Sequence, residues 1–306
     1  MVIDIIKSQI FGIEGGAVSE SSIYIVKELR VPRTILAIFI GGGLAVAGVA
    51  MQALTQNVLA EPYMLGVSAG ALAFVAITIM FSTGSYLNSY GIFGAAFLGS
   101  MVALIFVYFI GGAGKKTSNN RLILAGMAVS IVLNAFSNLC IIISPSDSNI
   151  KNLISWSMGS LAGARWGNIM IPCIGILVGV VVLILTSRNY DIISLGDETS
   201  ISMGVPIKKV KKWTIILISM ITGLAVASSG LIGLVGFIIP HIVRILFGAQ
   251  HRRLIPLSFL IGGLFLIWMD ILARTIAPPS DLPIGIFTAL CGGPFFIWLL
   301  YKGRKR

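Results

Sequence analysis

Four charged side chains stand out in this sequence because they lie inside or beside long apolar stretches. Asp270 and Arg274 are four residues apart, so on a helix they share one face and suit an ion pair. A carboxylate within a membrane-embedded helix indicates a functional site by default, and an internal pair that only neutralises Asp270 explains it equally well. Arg30 and Arg33 directly precede the first long apolar stretch. Ionic contact is therefore the chemistry that these residues predict.

The sequence carries no pattern of a catalytic or metal-binding site. Its three cysteines, Cys140, Cys173 and Cys291, fall in or beside apolar stretches without C-x-x-C spacing, which favours small core residues. The phosphate-binding pattern G-x-x-x-x-G-K-[ST] is absent, so the chain cannot hydrolyse ATP by that route. We predict that this chain has no catalytic residue, no metal ligand and no bound cofactor.

Composition identifies the class of protein in which these charges lie. Hydrophobic residues are 57% of the 306 positions and charged residues are 11%. The apolar runs are longer than an ordinary core helix needs, so the sequence predicts an all-α, polytopic membrane helix bundle with nine membrane segments. The segments are 34–54, 64–82, 91–112, 121–144, 168–187, 213–231, 235–247, 254–276 and 284–301. The segment 235–247 is too short to cross alone, so irregular chain that protein or a water-filled cavity shields must complete it.

Basic residues are divided unevenly between the two sides of this bundle. Fourteen of the 22 fall in one set of loops, chiefly 115–121, 188–212, 252–253 and the tail 302–306. The positive-inside rule makes this set cytoplasmic, including the polar segment 188–212 and the basic C-terminal tail. The net charge of +11 then reflects topology, so no nucleic-acid partner is predicted.

An odd number of segments places the two termini on opposite sides of the membrane. Residues 1–33 are thus predicted to be an extracytoplasmic N-terminal segment ahead of the membrane domain 34–301. The only apolar run of this segment, 5–13, is short and carries Lys7, so it is not a signal peptide. We therefore expect that a first helix is missing from this sequence.

Two stretches of the chain indicate an inverted repeat. Residues 34–48 match residues 214–228 at an offset of 180, with eight of fifteen positions identical. In the predicted topology the first copy runs inward and the second runs outward, an arrangement typical of transporters.

Three arginines oppose the charge bias of the bundle. Arg30 and Arg33 lie at the outer mouth of the first segment, and Arg274 lies at the outer end of 254–276. Snorkelling of long side chains to the interface accounts for them. A positive rim that docks an acidic external partner is the alternative, in which rim charges set orientation and association rate.

A polar stripe on segment 121–144 is a candidate translocation path. Ser130, Asn134, Ser137 and Asn138 form this stripe at helical spacing. Such residues either line a water-filled path or make hydrogen bonds between helices, and the pattern does not separate the two.

The cytoplasmic stretch 195–208 predicts a short helix of its own. Asp197 suits the N-cap position and Glu198 the first turn, and Gly204 and Pro206 end the helix. This helix is either a connector or a contact for a soluble protein.

A set of short motifs, in this order along the chain, resembles the FecCD-type permeases, the membrane subunits of bacterial ABC importers for iron–siderophores, haem and vitamin B12. The motifs are 30–34 RVPRT, 48–52 GVAMQ, 57–62 NVLAEP, 65–70 LGVSAG, 121–126 RLILAG, 156–161 WSMGSL, 196–199 GDET with 203–204 MG, 230–236 GLIGLVG, 240–244 PHIVR, 270–274 DILAR, 282–285 LPIG and 293–296 GPFF. The resemblance covers nearly everything from Arg30 to Tyr301.

The resemblance implies an assembly in a bacterial cell membrane. This chain would pair with a second copy or a close paralogue, with the path at their interface, and would bind two ABC ATPase subunits that carry ATP and Mg²⁺. An extracytoplasmic substrate-binding protein would dock on Arg30, Arg33 and Arg274. The family's ATPase-coupling segment falls on Gly196, Asp197, Glu198, Thr199, Ser202, Met203 and Gly204.

The sequence departs from the family pattern at three points. The family has ten helices with both termini cytoplasmic, and its first helix precedes the Arg30 motif. Val58 stands where the family usually has Pro, and Asp281 stands where it usually has Glu.

The function predicted from the resemblance is import of a metal chelate, powered by a separate ATPase. Iron–siderophore is the expected substrate class, with haem and cobalamin as further candidates. Two alternatives stay open on the sequence: a secondary carrier driven by an ion gradient, to which the repeat and Asp270 point, and a truncated, non-transporting paralogue.

Overall fold

The computed structural model describes residues 20–81, 89–111, 119–144, 146–278 and 280–303. All regular structure in these ranges is helical. The expectation of a missing first helix concerns the region of residues 1–19, which lies outside the described residues, as do residues 304–306 of the predicted basic tail. The described part of the predicted N-terminal segment is helical from Glu20 and runs without a break into the first predicted membrane segment.

The helices, in chain order, are as follows. They are α1 (Glu20–Tyr24), a π-helical turn (Ile25–Arg30), α2 (Val31–Thr55), a 3₁₀ turn (Pro62–Leu65), α3 (Val67–Phe81), α4 (Ser89–Ile110), α5 (Asn119–Ile143), α6 (Asp147–Ser157), α7 (Trp166–Leu185), α8 (Ser187–Ile193), α9 (Asp197–Ser202), α10 (Ile207–Ser229), α11 (Val235–Phe247), α12 (His251–Thr275) and α13 (Ile284–Gly303).

Each of the nine predicted membrane segments coincides with one helix, with ends that differ by a few residues. Six helices in the described ranges are long and apolar enough to cross a membrane, the first running from Glu20 through α2. Three shorter apolar helices, within α3, α11 and α13, complete the set. The fold is therefore the all-α membrane bundle that the composition predicts.

Helix α2 forms the centre of the bundle. Every residue from 40 to 55 is buried, and the helix packs against α7, α10, α11 and α12. Its small residues permit this close packing. Lipid tails are as apolar as the helices, so the hydrophobic effect does not drive helices together in a membrane, and they associate through close backbone approach instead. A Cβ on Gly48 would collide with the carbonyl oxygen of Gly236 on α11, so the two backbones touch directly.

The bundle has two ends that its charges distinguish. Arg30, Arg33 and Arg274 lie at one end, called here the arginine end. The starts of α10 and α12 lie at the other, called the lysine end after Lys208, Lys209, Lys211 and Lys212. Helix α2 runs from the arginine end to the lysine end and α10 runs the opposite way, as the inverted repeat predicts.

Each copy of the repeat is followed by an interruption and a short helix. After α2, the stretch 56–66 leads into α3, which has 15 residues. After α10, the stretch 230–234 leads into α11, which has 13 residues. The left-handed backbone of Leu234, with φ of 69°, starts α11. Irregular chain thus precedes the short segment 235–247, and completion of a crossing by this chain stays a prediction.

We predict that Gly48→Val destabilises the bundle, because its side chain would force α2 away from α11. Overpacking of this kind costs about 1–3 kcal/mol. The midpoint temperature of unfolding in mild detergent should fall. Gly94→Val on α4 is the matched control, since a Cβ there meets nothing within 4 Å. Equal midpoints for the two variants would contradict close packing of α2 on α11.

Candidate functional site

An ionic cluster at the arginine end joins three parts of the chain. Arg33 on α2 donates from Nε to Oδ1 of Asp270 over 2.8 Å, and its Nη1 lies 2.6 Å from Oδ2 of Asp281. Arg274 completes the cluster, with its Nε 3.1 Å from Oδ2 of Asp270. The predicted Asp270–Arg274 pair is thus present, within a larger network that the sequence did not reveal.

The cluster is positioned by the ends of two helices and one connection. Pro32 stands in the first turn of α2, directly after the π-helical turn, and Arg33 follows it. Asp270 and Arg274 lie one turn apart near the end of α12, and Asp281 comes from the connection to α13. Arg33 thereby ties that connection to the bundle centre.

The three predicted docking residues differ in how far their side chains are exposed to a partner. The Arg33 side chain is only 10% exposed and is occupied by two carboxylates. Arg274 is 25% exposed, and Arg30 is exposed. The surface available for an external partner consists of Arg30 and one side of Arg274, while Arg33 holds the cluster together. The docking role of all three stays a prediction.

A second site lies at the lysine end, in the region predicted to couple to an ATPase. Gly196, with φ of 109°, is the N-cap of α9, and Asp197 is its first residue. The prediction that Asp197 caps this helix is therefore wrong. The reason is that the Asp197 carboxylate turns to Lys211, with its Oδ2 2.7 Å from Nζ.

One face of α9 is anchored and the other is free. Ser200 is fully buried, and its hydroxyl donates to the carbonyl oxygen of Gly196 at 2.7 Å, with the carbonyl oxygen of Ile192 3.0 Å away. The exposed residues of the helix and its exit are Glu198, Thr199, Ile201, Ser202, Met203 and Gly204. Ile201 is 65% exposed and Met203 is 57% exposed. An anchored helix that shows apolar side chains outside the membrane segments fits a protein–protein contact better than a bare connector.

Helix α8 anchors this region, a role that was not predicted from the residues. Tyr190 is buried, and its hydroxyl lies 3.0 Å from Oγ1 of Thr214 on α10. Burial raises the pKa of the Tyr190 hydroxyl, so the neutral phenol makes this bond. Asp191 accepts from the backbone N–H of His251 at 2.9 Å and lies 2.7 Å from its ring Nδ1, which fixes α8 to the start of α12.

The four residues predicted to line a path divide into two pairs. The Ser130 hydroxyl donates to the carbonyl oxygen of Gly126, and the Ser137 hydroxyl donates to that of Leu133. Both hydroxyls are therefore hydrogen-bonded within their own helix. Asn134 and Asn138 lie one turn apart on the exposed side of α5. The polar stripe that faces outward is therefore the asparagine pair, and its role in translocation stays a prediction.

We predict that Arg33→Ala destabilises the protein by roughly 3 kcal/mol, because it leaves the buried Asp270 with Arg274 as its remaining cation. The exposed Arg30→Ala is the control and should leave the unfolding midpoint in detergent unchanged. Adding Asp270→Asn to Arg33→Ala should restore part of the loss, since the buried charge is gone. An Arg33→Ala variant as stable as Arg30→Ala would contradict a structural role for the cluster.

Similarity to known proteins covers nearly the whole chain. Residues 2–302 match the FecCD transport family. The hemin transport system permease protein HmuU of Yersinia pestis is 37% identical over 91% of this chain and 83% of its own length. The Fe(3+)-citrate import system permease protein YfmD of Bacillus subtilis is 37% identical over 92% of this chain and 82% of its own length. The cobalamin import system permease protein BtuC of Halobacterium salinarum is 35% identical over 94% and 76%.

A solved structure shares the architecture as well. A metal-chelate type ABC transporter in an inward-facing conformation superimposes with a TM-score of 0.86 at 30% identity, covering 98% of this chain and 96% of that chain. The chain therefore belongs to the FecCD transport family, and it is a multi-pass membrane permease of the ABC-transporter class.

Proposed function

We propose that this chain is the permease subunit of an importer that moves a metal chelate into the cytoplasm of a bacterial cell. The observation that carries the proposal is α9, a short helix locked by Ser200 and Lys211 that presents Ile201 and Met203 to a partner. Such a lever suits a separate ATPase subunit, which binds ATP and Mg²⁺ and whose closure would push on α9. The lysine end then faces the cytoplasm, in agreement with the positive-inside rule.

The substrate class follows from what the relatives carry. Their names give hemin, Fe(3+)-citrate and cobalamin, which are all metal chelates. We propose an iron chelate of the siderophore type for this chain, with haem and cobalamin as the competing members of the class. The described residues offer such a ligand no dedicated metal ligand set, so recognition would rest on shape and many weak contacts.

A path at the interface of two permease subunits fits the exposed faces of α5 and α13. Ile131 is 68% exposed on α5 and Ile297 is 68% exposed on α13. Helix α13 packs little against the rest of the chain, whereas α5 packs on α3 and α4 with one side only. The amides of Asn134 and Asn138 lie on the other, exposed side of α5 together with Ile131. A second copy, or a close paralogue, would cover these faces and leave a partly polar passage between them.

An external binding protein is the proposed partner at the arginine end. Acidic residues on that protein would meet Arg30 and the exposed side of Arg274, whereas Arg33 is occupied by Asp270 and Asp281. The network also accounts for the charge that motivated the carrier alternative, because Asp270 has two arginine partners and needs no translocated cation to neutralise it.

We predict that an ATPase subunit and a binding protein co-purify with the tagged chain from its native membrane in mild detergent. Ile201→Glu with Met203→Glu should reduce the recovered ATPase at least about tenfold, because two acidic groups replace an apolar contact. The fold should survive, since both side chains are exposed. Ile154→Glu, at an exposed apolar position on α6 at the arginine end, is the matched control. Mass spectrometry quantifies the recovery, and a chain that purifies alone and intact would contradict the proposal.

We predict that Arg30→Glu combined with Arg274→Gln slows association of the binding protein about tenfold at low salt, because rim charges act mainly on encounter. The difference should shrink as salt screens the charges. Lys151→Glu, on α6 at the same end, is the control for a charge change outside the proposed contact. Surface plasmon resonance measures the rates, and unchanged association would remove the docking surface.

A further inference from the structure

The two interruptions of the membrane helices are joined by side chains that the proposed function has not used. Glu61 accepts a hydrogen bond from the backbone N–H of Leu234, with 2.7 Å between Oε1 and N. The Tyr63 hydroxyl donates to the carbonyl oxygen of Ile232 over 2.9 Å and accepts from the N–H of the same residue over 3.2 Å. Three backbone groups of the stretch 230–234 thus depend on two side chains of the stretch 56–66.

These contacts replace bonds that a continuous helix would have made itself. Non-helical backbone at membrane depth persists only where protein or water satisfies its N–H and C=O groups. Ile232 is 1% exposed, so bulk water does not reach it freely. Leu234 holds φ of 69°, which is unfavourable for a branched side chain and persists only when its surroundings fix it. Glu61 and Tyr63 provide that fixation.

On its other side, the stretch 56–66 reaches the proposed coupling region. Gln56 ends α2 in the left-handed conformation, and its Nε2 donates to the carbonyl oxygen of Ile193 at the end of α8 over 2.9 Å. An Asx turn stiffens the stretch between, since Asn57 Oδ1 accepts from the N–H of Leu59 at 2.9 Å. Only a few residues therefore separate the α8–α9 region from Glu61.

The stretch 230–234 in turn contacts the elements that carry α13. The carbonyl oxygen of Leu231 lies against Gly159, where an added Cβ would come within 2.6 Å of it, and the carbonyl oxygen of Gly159 accepts from the N–H of Ile284 over 2.9 Å. The Leu234 side chain lies directly over Gly292. A Cβ added to Gly292 would lie 2.7 Å from the Cβ of Leu234. Because the two are in direct contact, displacement of Leu234 would move α13 or loosen its packing.

We propose that Glu61 and Tyr63 are positioning residues that couple movement of the α8–α9 region to α13, a wall of the proposed path. The proposal rests on the proposed function, because it assigns these residues to the ATP-driven step. The hydroxyl of Tyr63 holds both polar groups of Ile232, and Glu61 holds the start of α11, so the stretch 230–234 must follow when 56–66 moves. When either contact is removed, ATP hydrolysis continues but no longer changes α13.

Hydrogen–deuterium exchange of the purified complex in nanodiscs tests the proposal, with and without ATP, Mg²⁺ and vanadate. The variants are Tyr63→Phe, Glu61→Ala and Glu61→Gln, whose side-chain oxygen can still accept from Leu234. Tyr90→Phe is the matched control, since it also removes a hydroxyl that donates to a backbone carbonyl, that of Gly167 at 3.1 Å.

In Tyr63→Phe and Glu61→Ala, amide exchange in 230–236 should rise about fivefold, the ratio that corresponds to a hydrogen bond worth about 1 kcal/mol. The nucleotide-dependent change in 284–292, present in the wild type, should be lost while ATP hydrolysis remains. Glu61→Gln and Tyr90→Phe should behave as the wild type. If Glu61→Ala fails to fold, Tyr63→Phe decides alone, because it keeps the ring.

Two results would overturn the proposal: wild-type exchange in 230–236 in both variants, or an intact nucleotide response in 284–292 despite faster exchange. A different failure identifies the proposed function as the error. If no ATPase subunit co-purifies with the wild-type chain and nucleotide changes no exchange rate, the importer assignment is wrong. The coupling role is then excluded with it.

Discussion

The structure depends on one constraint, which is that every buried backbone N–H and C=O in a membrane bundle needs a partner within the protein. Two crossings of this chain are interrupted, after α2 and after α10, and each interruption frees backbone groups at depth. The side chains of Glu61 and Tyr63 in the first stretch satisfy backbone groups of Leu234 and Ile232 in the second, and the first stretch bonds its own backbone in local turns. Glycine contacts such as Gly48 on Gly236 bring the backbones close enough for these short bonds.

The charged groups obey a similar constraint, because a buried charge also needs a partner within the protein. Asp270 is 2% exposed, a position that an unpaired carboxylate would not tolerate, and Arg33 and Arg274 neutralise it. Because Arg33 also holds Asp281, the connection before α13 at the arginine end is fixed to the central helix. At the opposite end, Lys211 and Ser200 hold α9 so that its apolar residues face outward. Both ends of this interrupted bundle are thus held by ionic contacts, as the proposed contact with an ATPase subunit requires.

Much of this fold was predictable from sequence, because length, hydropathy and the Lys and Arg bias act locally along the chain. They predicted the nine apolar helices that the described ranges contain and the opposite directions of α2 and α10. Contacts between distant residues were not predictable, since spacing carries no information about them. Arg33 was assigned to a docking rim and lies in a buried network. Glu61 and Tyr63 were missed, although a lone carboxylate beside Pro62, between two apolar stretches, was a usable signal. Asp197 was assigned as a cap because its type suits one, but Lys211 competes for its carboxylate.

Uptake by the reconstituted complex is the measurement that tests the central claim most directly. Proteoliposomes would hold the permease with its co-purified ATPase and binding protein, and hemin, ferric citrate and cobalamin would be offered in turn. The account predicts that one of these chelates accumulates only when ATP is supplied on the side of the ATPase, and that ionophores which collapse ion gradients leave the rate unchanged. Accumulation that ignores ATP and stops with the ionophore would contradict it, and would show a carrier.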